Sequence, residues 1–384
     1  MVICYMCVVL DSNIYYFSKE KYVMGKCTFK GGIHPYDGKE LSKDKPIKEL
    51  FPAVGEMVFP LSQHIGAPAV PVVAKGDYVL AGQLIAEAGG FVSANIHSSV
   101  SGTVKAIEPR TLATGGKCNS IIIENDGEFK EVEYTPKKLE ELSKEEVLQR
   151  IKDAGVVGMG GAGFPTNVKL SPKNPEGIDY IIVNGAECEP YLTSDYRRLL
   201  EESDKIVLGL KVALSIFDHA KGIIGIEDNK PEAIKVMQAA VASEPDIEVK
   251  VLKTKYPQGG ESSLIYATTG RSINSTMLPA DAGCIVHNVD TIYSIYMAVI
   301  EGKPLTKRIV TVTGDGVKEP GNFYVWLGMN YRQLHEAVGG VVGEPEKYIS
   351  GGPMMGFAMY SLDVPVVKGS SSLLVFQNDV VSKL

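Results

Sequence analysis

The sequence predicts a multidomain chain of the α/β plus β class. Three observations carry that reading. Residues 28–130 are rich in Gly, Val and short strand-like runs. Residues 131–303 then alternate helical stretches with short, continuous apolar runs, and residues 304–350 hold one strand, a turn and one short amphipathic helix. With 384 residues, 45% of them apolar, the chain is long enough for each unit to bury a core.

Composition narrows the function classes. A net charge of -7 with no basic stripe argues against a nucleic-acid partner. The six cysteines, at 4, 7, 27, 118, 188 and 284, lack the density of a disulfide framework and fit a reducing compartment. Only Cys4 and Cys7 form a CxxC, and without a second pair or a nearby His no metal site is read there. The apolar start, MVICYMCVVL, runs straight into Asp11 with no basic flank, so it is neither a signal peptide nor a span. No other stretch approaches the length of a spanning helix, so the protein is expected to be soluble or to join a membrane only through partners.

Within 28–130, VPVVAKGDYVLAGQLIAE (Val70 to Glu87) and HSSVSGTVKAIE (His97 to Glu108) resemble the two halves of a lipoyl or biotinyl carrier, a small barrel-sandwich hybrid. The hairpin that presents a modifiable lysine in carriers reads FVSANI here (Phe91 to Ile96) and has none. A docking or scaffold module is expected, with no swinging arm.

Within 131–303, Ser143 and Glu146 form a capping box, Val147, Leu148 and Ile151 follow at helical spacing, and Gly155 ends the helix. The apolar runs Tyr180 to Val183, Gly222 to Ile226 and Ile247 to Leu252 read as buried parallel strands. Helices are expected over Asp195 to Phe217 and Pro231 to Ala242, which completes a doubly wound, Rossmann-like layer. Ligands of such sheets gather beyond the carboxyl ends of the strands, so NGAECEP (Asn184 to Pro190), directly after YIIV, is the first candidate turn. In 304–350, KRIVTVT (Lys307 to Thr313) is strand-like, GDG marks a turn and Tyr331 to Val338 is a helix. Residues 351–384 read as an extended tail.

The densest motif is GVVGMGGAGFPTNVKL (Gly155 to Leu170), in which Gly158, Gly160 and Gly163 spell GxGxxG. A dinucleotide fingerprint needs a strand before the glycines, and here a helix precedes them. A P-loop needs Lys where Phe164 stands. What remains is bare main chain that suits a phosphate or a flat ring, although a structural turn would use the same residues. Three more segments share its character: NGAECEP, YPQGGESSL (Tyr256 to Leu264) and VHNVDT (Val286 to Thr291). None offers a Ser-His-Asp or Cys-His set, so hydrolysis by triad or zinc lacks support and no catalytic acid-base pair is assigned. Recurrence of these segments at strand ends points to a single crevice.

Together these motifs resemble the RnfC subunits of the Rnf complex, membrane-bound NADH:ferredoxin oxidoreductases. The central unit is similar to the flavin-binding subunit of respiratory complex I. The likeness runs from TFKGGIHP (Thr28 to Pro35) through GxGGxGFPT, NxxExEP, GxExxL and NVxT to TKRIVTVTG (Thr306 to Gly314), ISGGPMMG and DVPVVK. It implies a β-grasp, SLBB-like fold for 304–350 and FMN as the ligand of the glycine loop. By carry-over, Gly158, Gly160, Gly161, Gly163, Gly259 and Gly260 would let the flavin approach the backbone, and Lys169 would offset its phosphate. Asn184 and Glu187 would bond the ring or ribityl chain, and Asn288 and Thr291, at a helix start, the phosphate. Phe164, Glu189 and Glu261 would bind NADH as substrate, and a hydride would pass from nicotinamide to flavin. As plain residues, Lys169 also fits a solvated loop charge, and Phe164 fits core packing.

The sequence departs from the complex I pattern at Ala186, Gly260, Pro172 and Leu278, which touches NADH more than flavin. The resemblance further implies two 4Fe-4S clusters in a ferredoxin-like domain beyond DVPVVK, whose cysteine runs these 384 residues lack, as in a chain cut before that domain. Met24, beside TFKGGIHP, is a candidate start, and residues 1–27 are expected to form a poorly ordered extension. Implied partners are NADH and the membrane-embedded and ferredoxin-like subunits of the complex, at the cytoplasmic face. Two alternatives stay open: a related flavin and iron-sulfur protein, such as the cobalamin reductase or proline reductase associated types, and a non-catalytic scaffold.

Overall fold

The computed structural model describes residues 27–377. The expectations for Cys4, Cys7 and Met24, and nearly all of the 1–27 extension, lie outside them. The first unit contains β1 (Ile47–Leu50), β2 (Gly55–Pro60), β3 (Val70–Pro71), β4 (Tyr78–Val79), β5 (Leu84–Glu87), β6 (Ile96–His97), β7 (Gly102–Thr111) and β8 (Lys117–Asn125). Strands β2-β8-β7-β4 make one sheet and β3-β5-β6 a smaller one. Inward side chains such as Met57, Phe59, Ile85, Ile121 and Ile123 fill the space between them.

The central unit begins with α1 (Lys144–Asp153), whose Ser143 hydroxyl and Glu146 carboxylate form the reciprocal cap read from the sequence. It continues through α2 (Thr166–Lys169), β9 (Tyr180–Gly185), α3 (Ser194–Glu201), α4 (Ser203–Leu214), β10 (Lys221–Glu227), α5 (Pro231–Ala240), β11 (Ile247–Leu252), α6 (Glu261–Thr269), β12 (Cys284–Asn288) and α7 (Val289–Val299). The four strands are all parallel in the order β11-β10-β9-β12. The predicted helix Asp195 to Phe217 is broken at Glu202, whose φ of -132° is non-helical, giving two helices that lie across the sheet. Ile181, Val183 and Ile285 pack under α1, α3, α4 and α7, while Ile182, Ile223 and Leu252 pack under α6. Apolar residues on both faces explain why β9, β10 and β12 read as hydrophobic runs, whereas β11, expected to be buried, is an edge strand with Glu248 exposed and its middle only half-buried.

The third sheet draws on distant parts of the chain. β13 (Lys307–Thr313), β14 (Gly321–Trp326), β15 (Lys347–Ser350), β16 (Phe357–Met359) and β17 (Ser372–Phe376) join β1 in the order β1-β14-β13-β17-β15-β16, with α8 (Tyr331–Ala337) packed against it. Residues 351–377, which read as a tail, thus contribute β16 and an inner strand, β17, that pairs in parallel with β13. The sequence hid this because SSLLVF is short and pairs on one side with β13, some sixty residues away, and on the other with β15 across the 351–356 turn and β16, so that only the folded chain brings register together. The barrel and this sheet share one core, in which Phe59 packs beside Gly328 and with Trp326 and Leu327.

Candidate functional site

The strand order fixes where a ligand crevice can open. From β9 the chain moves to β10 and β11 on one side, and β12 lies on the other, so the order reverses between β9 and β12. Asn184 and Asn288 are register partners at the carboxyl ends of those two strands. The turns after β9, β11 and β12 all emerge at this edge.

The glycine loop is carried there by α1 and α2. Its feet are closed by a bridge between Val157 and Pro165 and by the Gly158 N–H, which donates to the Phe164 carbonyl at 2.8 Å. Between the feet, the Met159 N–H donates to the Thr291 hydroxyl at 2.9 Å, which docks the loop on the first turn of α7. Gly160, at φ 84°, lies against the Asn288 side chain, and an added Cβ would sit 3.2 Å from its amide nitrogen. Gly160, Gly161 and Ala162 face solvent, and a Cβ on Gly161 would meet nothing within 4 Å. The loop is therefore a main-chain shelf that is clamped below and open above.

Thr291 and Asn288 therefore hold the shelf. Asn288 accepts the Asp290 N–H as the cap of α7 and donates to Asp195 at 2.7 Å. Replacing Thr291 with Val is expected to leave the buried Met159 N–H unsatisfied and to cost about 1–3 kcal/mol. Urea unfolding measures the loss, and amide exchange at Met159 should rise with it.

The other motif residues interlock around this shelf. The Asn184 amide donates to the Gly259 carbonyl at 2.8 Å, joining the turns after β9 and β11. A Cβ on Gly259 would come within 3.2 Å of Cys188 and 3.3 Å of Asn184, whereas Gly260 starts α6 with its Cβ position 3.1 Å from the Pro257 carbonyl. Lys169 pairs with Glu261 at 2.9 Å, tying α2 to α6. Phe164 is exposed at the rim, 36% accessible, so it is not core packing. Four segments far apart in sequence are thus linked side by side at the carboxyl edge of the sheet.

Two acidic residues of the NGAECEP turn behave differently. Glu187 has a left-handed backbone, φ 45°, a conformation that costs a side-chain-bearing residue on the order of 1 kcal/mol and clusters at functional sites. One of its oxygens accepts the Asp195 N–H at 2.7 Å; the other lies 3.7 Å from the Lys39 ammonium and has no hydrogen bond. Burial pushes its pKa up, against the pull of Lys39 and Lys230. Glu189 lies under the turn at 351–356, where one oxygen accepts the Met354 N–H at 3.2 Å and the other is buried without a partner. A Cβ on Gly352 would fall 1.9 Å from that carboxylate, which shows how closely the turn covers it.

Sequence reasoning missed Asp195. Burial, with Glu187 and Asp290 nearby, raises its carboxyl from 3.8 to about 7. The native state therefore keeps a proton that the unfolded chain has lost, so the stabilisation present in acid falls as pH rises through 7. Between pH 6 and pH 8 the wild-type chain should lose about 1 kcal/mol relative to an Asp195→Asn variant. Thermal unfolding of both at the two pH values reads the difference.

Residues 151–297 match the family described as the Nuo51 FMN-binding domain, 27–128 the RnfC barrel sandwich hybrid domain, and 309–358 the SLBB domain. The chain is 49% identical over 356 residues to the C component of the proton-translocating ferredoxin:NAD(+) oxidoreductase complex of Clostridium ljungdahlii, covering 92% of this chain and 78% of that protein. The chain belongs to the RnfC family. A second RnfC relative, the C component of the Na(+)-translocating complex of Acetobacterium woodii, is 45% identical over 90% of this chain and 79% of its own length. RnfC chains are oxidoreductase subunits, and this one carries a complex I-type FMN-binding domain and is part of a multi-subunit complex.

Fold likeness extends to two solved structures of an NAD+-reducing NiFe-hydrogenase. The H2-reduced form aligns with a TM-score of 0.50 at 21% identity, over 61% of this chain and 47% of that one. The air-oxidised form gives 0.52 at 20%, over 67% and 53%. This RnfC chain spans about half of each, and the likeness concerns fold alone. Among the described residues no helix is long and apolar enough to cross a membrane.

The residues present fit a flavin. The shelf offers unobstructed main chain at Gly161, and buried polar atoms without partners sit on the surrounding motifs: Thr166 Oγ1, Glu187 Oε2, both amide atoms of Gln258 and His287 Nε2. A buried polar atom without a partner costs free energy that a bound ligand's donors and acceptors would recover. Lys169, near the buried His287, adds the positive charge that a phosphate needs.

Proposed function

We propose that this chain is the electron-input subunit of an ion-translocating NADH:ferredoxin oxidoreductase of the Rnf type. It holds FMN on the main chain of 158–163 and places NADH beside it for hydride transfer. The observation that carries the reading is the convergence of four motif segments on an open glycine shelf at the sheet's switch point.

Each residue has a defined task. Gly158, Gly160, Gly161 and Gly163 keep the shelf free of side chains, with Thr291 and Asn288 fixing its height. Asn184 and Glu187 face the polar edge of the ligand, and Gly259 and Gly260 allow the third turn to close on it. Lys169 turns from Glu261 toward the phosphate, which frees the Glu261 carboxylate for the dinucleotide. Phe164, exposed at the rim, supplies an apolar face for a nucleotide ring. Glu189 reaches a ribose by exchanging its bond to Met354. When bound, FMN supplies a two-electron acceptor that can release electrons singly. The chain itself contributes placement and exclusion of water, which is why no acid-base pair is needed.

The onward path belongs to the same reading. Two 4Fe-4S clusters are assigned to the part of the RnfC relatives that these residues do not span, and they would pass electrons to the membrane-embedded and ferredoxin-like subunits at the cytoplasmic face. Titrating FMN into the protein and following quenching of its fluorescence tests the core of the proposal. Saturable quenching at micromolar FMN, followed by anaerobic bleaching with NADH, is expected; free FMN fluorescence throughout the titration would count against it.

A further inference from the structure

The fully buried Lys368 ammonium has no role in the chemistry above. It donates to the carbonyls of Asn95 and of Gly155, the latter at 2.7 Å. The Lys368 N–H donates to the Gln63 side chain at 3.1 Å, and its carbonyl accepts from Arg308. One residue just before β17 therefore grips two barrel loops and the first glycine of the flavin-loop motif.

The contacts around it leave no slack. A Cβ on Gly155 would lie 2.2 Å from the Asn95 carbonyl oxygen and 2.9 Å from the Lys368 ammonium. At the other foot of the loop, a Cβ on Gly163 would lie 3.1 Å from His64 Cα and 3.3 Å from the Gln63 carbonyl. Both feet thus rest on the barrel, and the same barrel loops hold Lys368. The titratable groups that feel this ammonium are His64 and His97, Arg308 bonds only the Lys368 carbonyl, and among the described residues no carboxylate pairs with the ammonium. Burying an ammonium without an anion is costly, and its pKa falls to about 7. The Lys368 ammonium, bonded only to carbonyls at the base of the loop, ties that base to the barrel.

We propose that Lys368 is a positioning residue for the FMN shelf: by bridging Asn95 and Gly155 it locks the glycine loop onto the barrel, so that the loop is already shaped before the ligand arrives. This rests on the reading that the loop binds FMN. It also gives the FVSANI hairpin a task, since the hairpin without a lysine of its own receives one from the other end of the chain.

The test is amide hydrogen exchange on the ligand-free protein, with FMN titration alongside. In a Lys368→Met variant, exchange over 155–164 should rise roughly tenfold or more, the loss of at least one net hydrogen bond, while amides of β9 and β10 stay protected. FMN affinity should fall by a similar factor. Unchanged exchange over 155–164, or an increase spread evenly over the central unit, overturns the proposal. If Lys368→Met does not fold, Gln63→Leu, which removes only the bond to the Lys368 N–H, should raise exchange at the same amides by a smaller factor, and its failure to do so overturns the proposal equally. Local loosening in a chain whose wild type binds no FMN supports the bridge and removes the flavin reading instead.

Discussion

A Gly161→Val variant is expected to fold normally and to lose FMN. The position is exposed, its φ lies outside the left-handed region, and a Cβ there meets nothing within 4 Å, so stability should change by no more than about 0.5 kcal/mol. The isopropyl group would instead occupy the space in which the ring rests. Overpacking of that kind costs about 1–3 kcal/mol, a loss of roughly tenfold to hundredfold in affinity. Gly160 would be a poorer choice, because its φ of 84° and its contact with Asn288 would strain the loop itself. Fluorescence titration beside a melting curve separates the two effects. Unaltered affinity in a normally folded variant would remove the ring from this shelf.

The largest stability effect is expected at Arg198. Its guanidinium donates through Nε (2.9 Å) and Nη2 (2.6 Å) to Asp290 Oδ1, with both residues almost fully buried. It also bonds the Tyr324 hydroxyl and stacks over Tyr293, 3.6 Å from the ring centroid. Arg198 sits on α3 and Asp290 in the first turn of α7, so the pair holds together the two helices that frame Asn288 and Thr291. An Arg198→Met change would strip the buried Asp290 carboxylate of its hydrogen-bonded partner and leave it only the longer 3.9 Å contact to Arg308, at a cost of about 3 kcal/mol. Urea unfolding should show that loss, and FMN affinity should fall too, because the α7 turn that docks Met159 is no longer held. A loss below about 1 kcal/mol would mean that solvent reaches Asp290 and the pair does not organise the site.

Much of this was legible in the residues. The runs YIIV and GIIGI announced buried parallel strands because both faces are covered, whereas IEVKVL is a half-exposed edge strand, and the switch-point rule led from β9 to Asn184 and Asn288. The four motif segments were expected together at the strand ends, and the bonds between Met159 and Thr291, Asn184 and Gly259, and Lys169 and Glu261 link them side by side. What the sequence could not convey depends on long-range contact. Nothing local in NGAECEP tells that the 351–356 turn closes over Glu189 from 165 residues away. Asp195 acquires its proton, and Lys368 its grip on Gly155, only when distant elements exclude water around them. Even the third sheet needed the folded chain, since β1 pairs only with β14, some 275 residues on, and β17 sits between β13 and β15.

The most direct measurement is a structure of the protein with FMN bound. The isoalloxazine ring should lie against the main chain of 158–163, its phosphate within reach of Lys169 and its polar edge toward Asn184 and Glu187. A ring located elsewhere, or a shelf closed by the protein's own side chains in the presence of saturating FMN, would contradict the account.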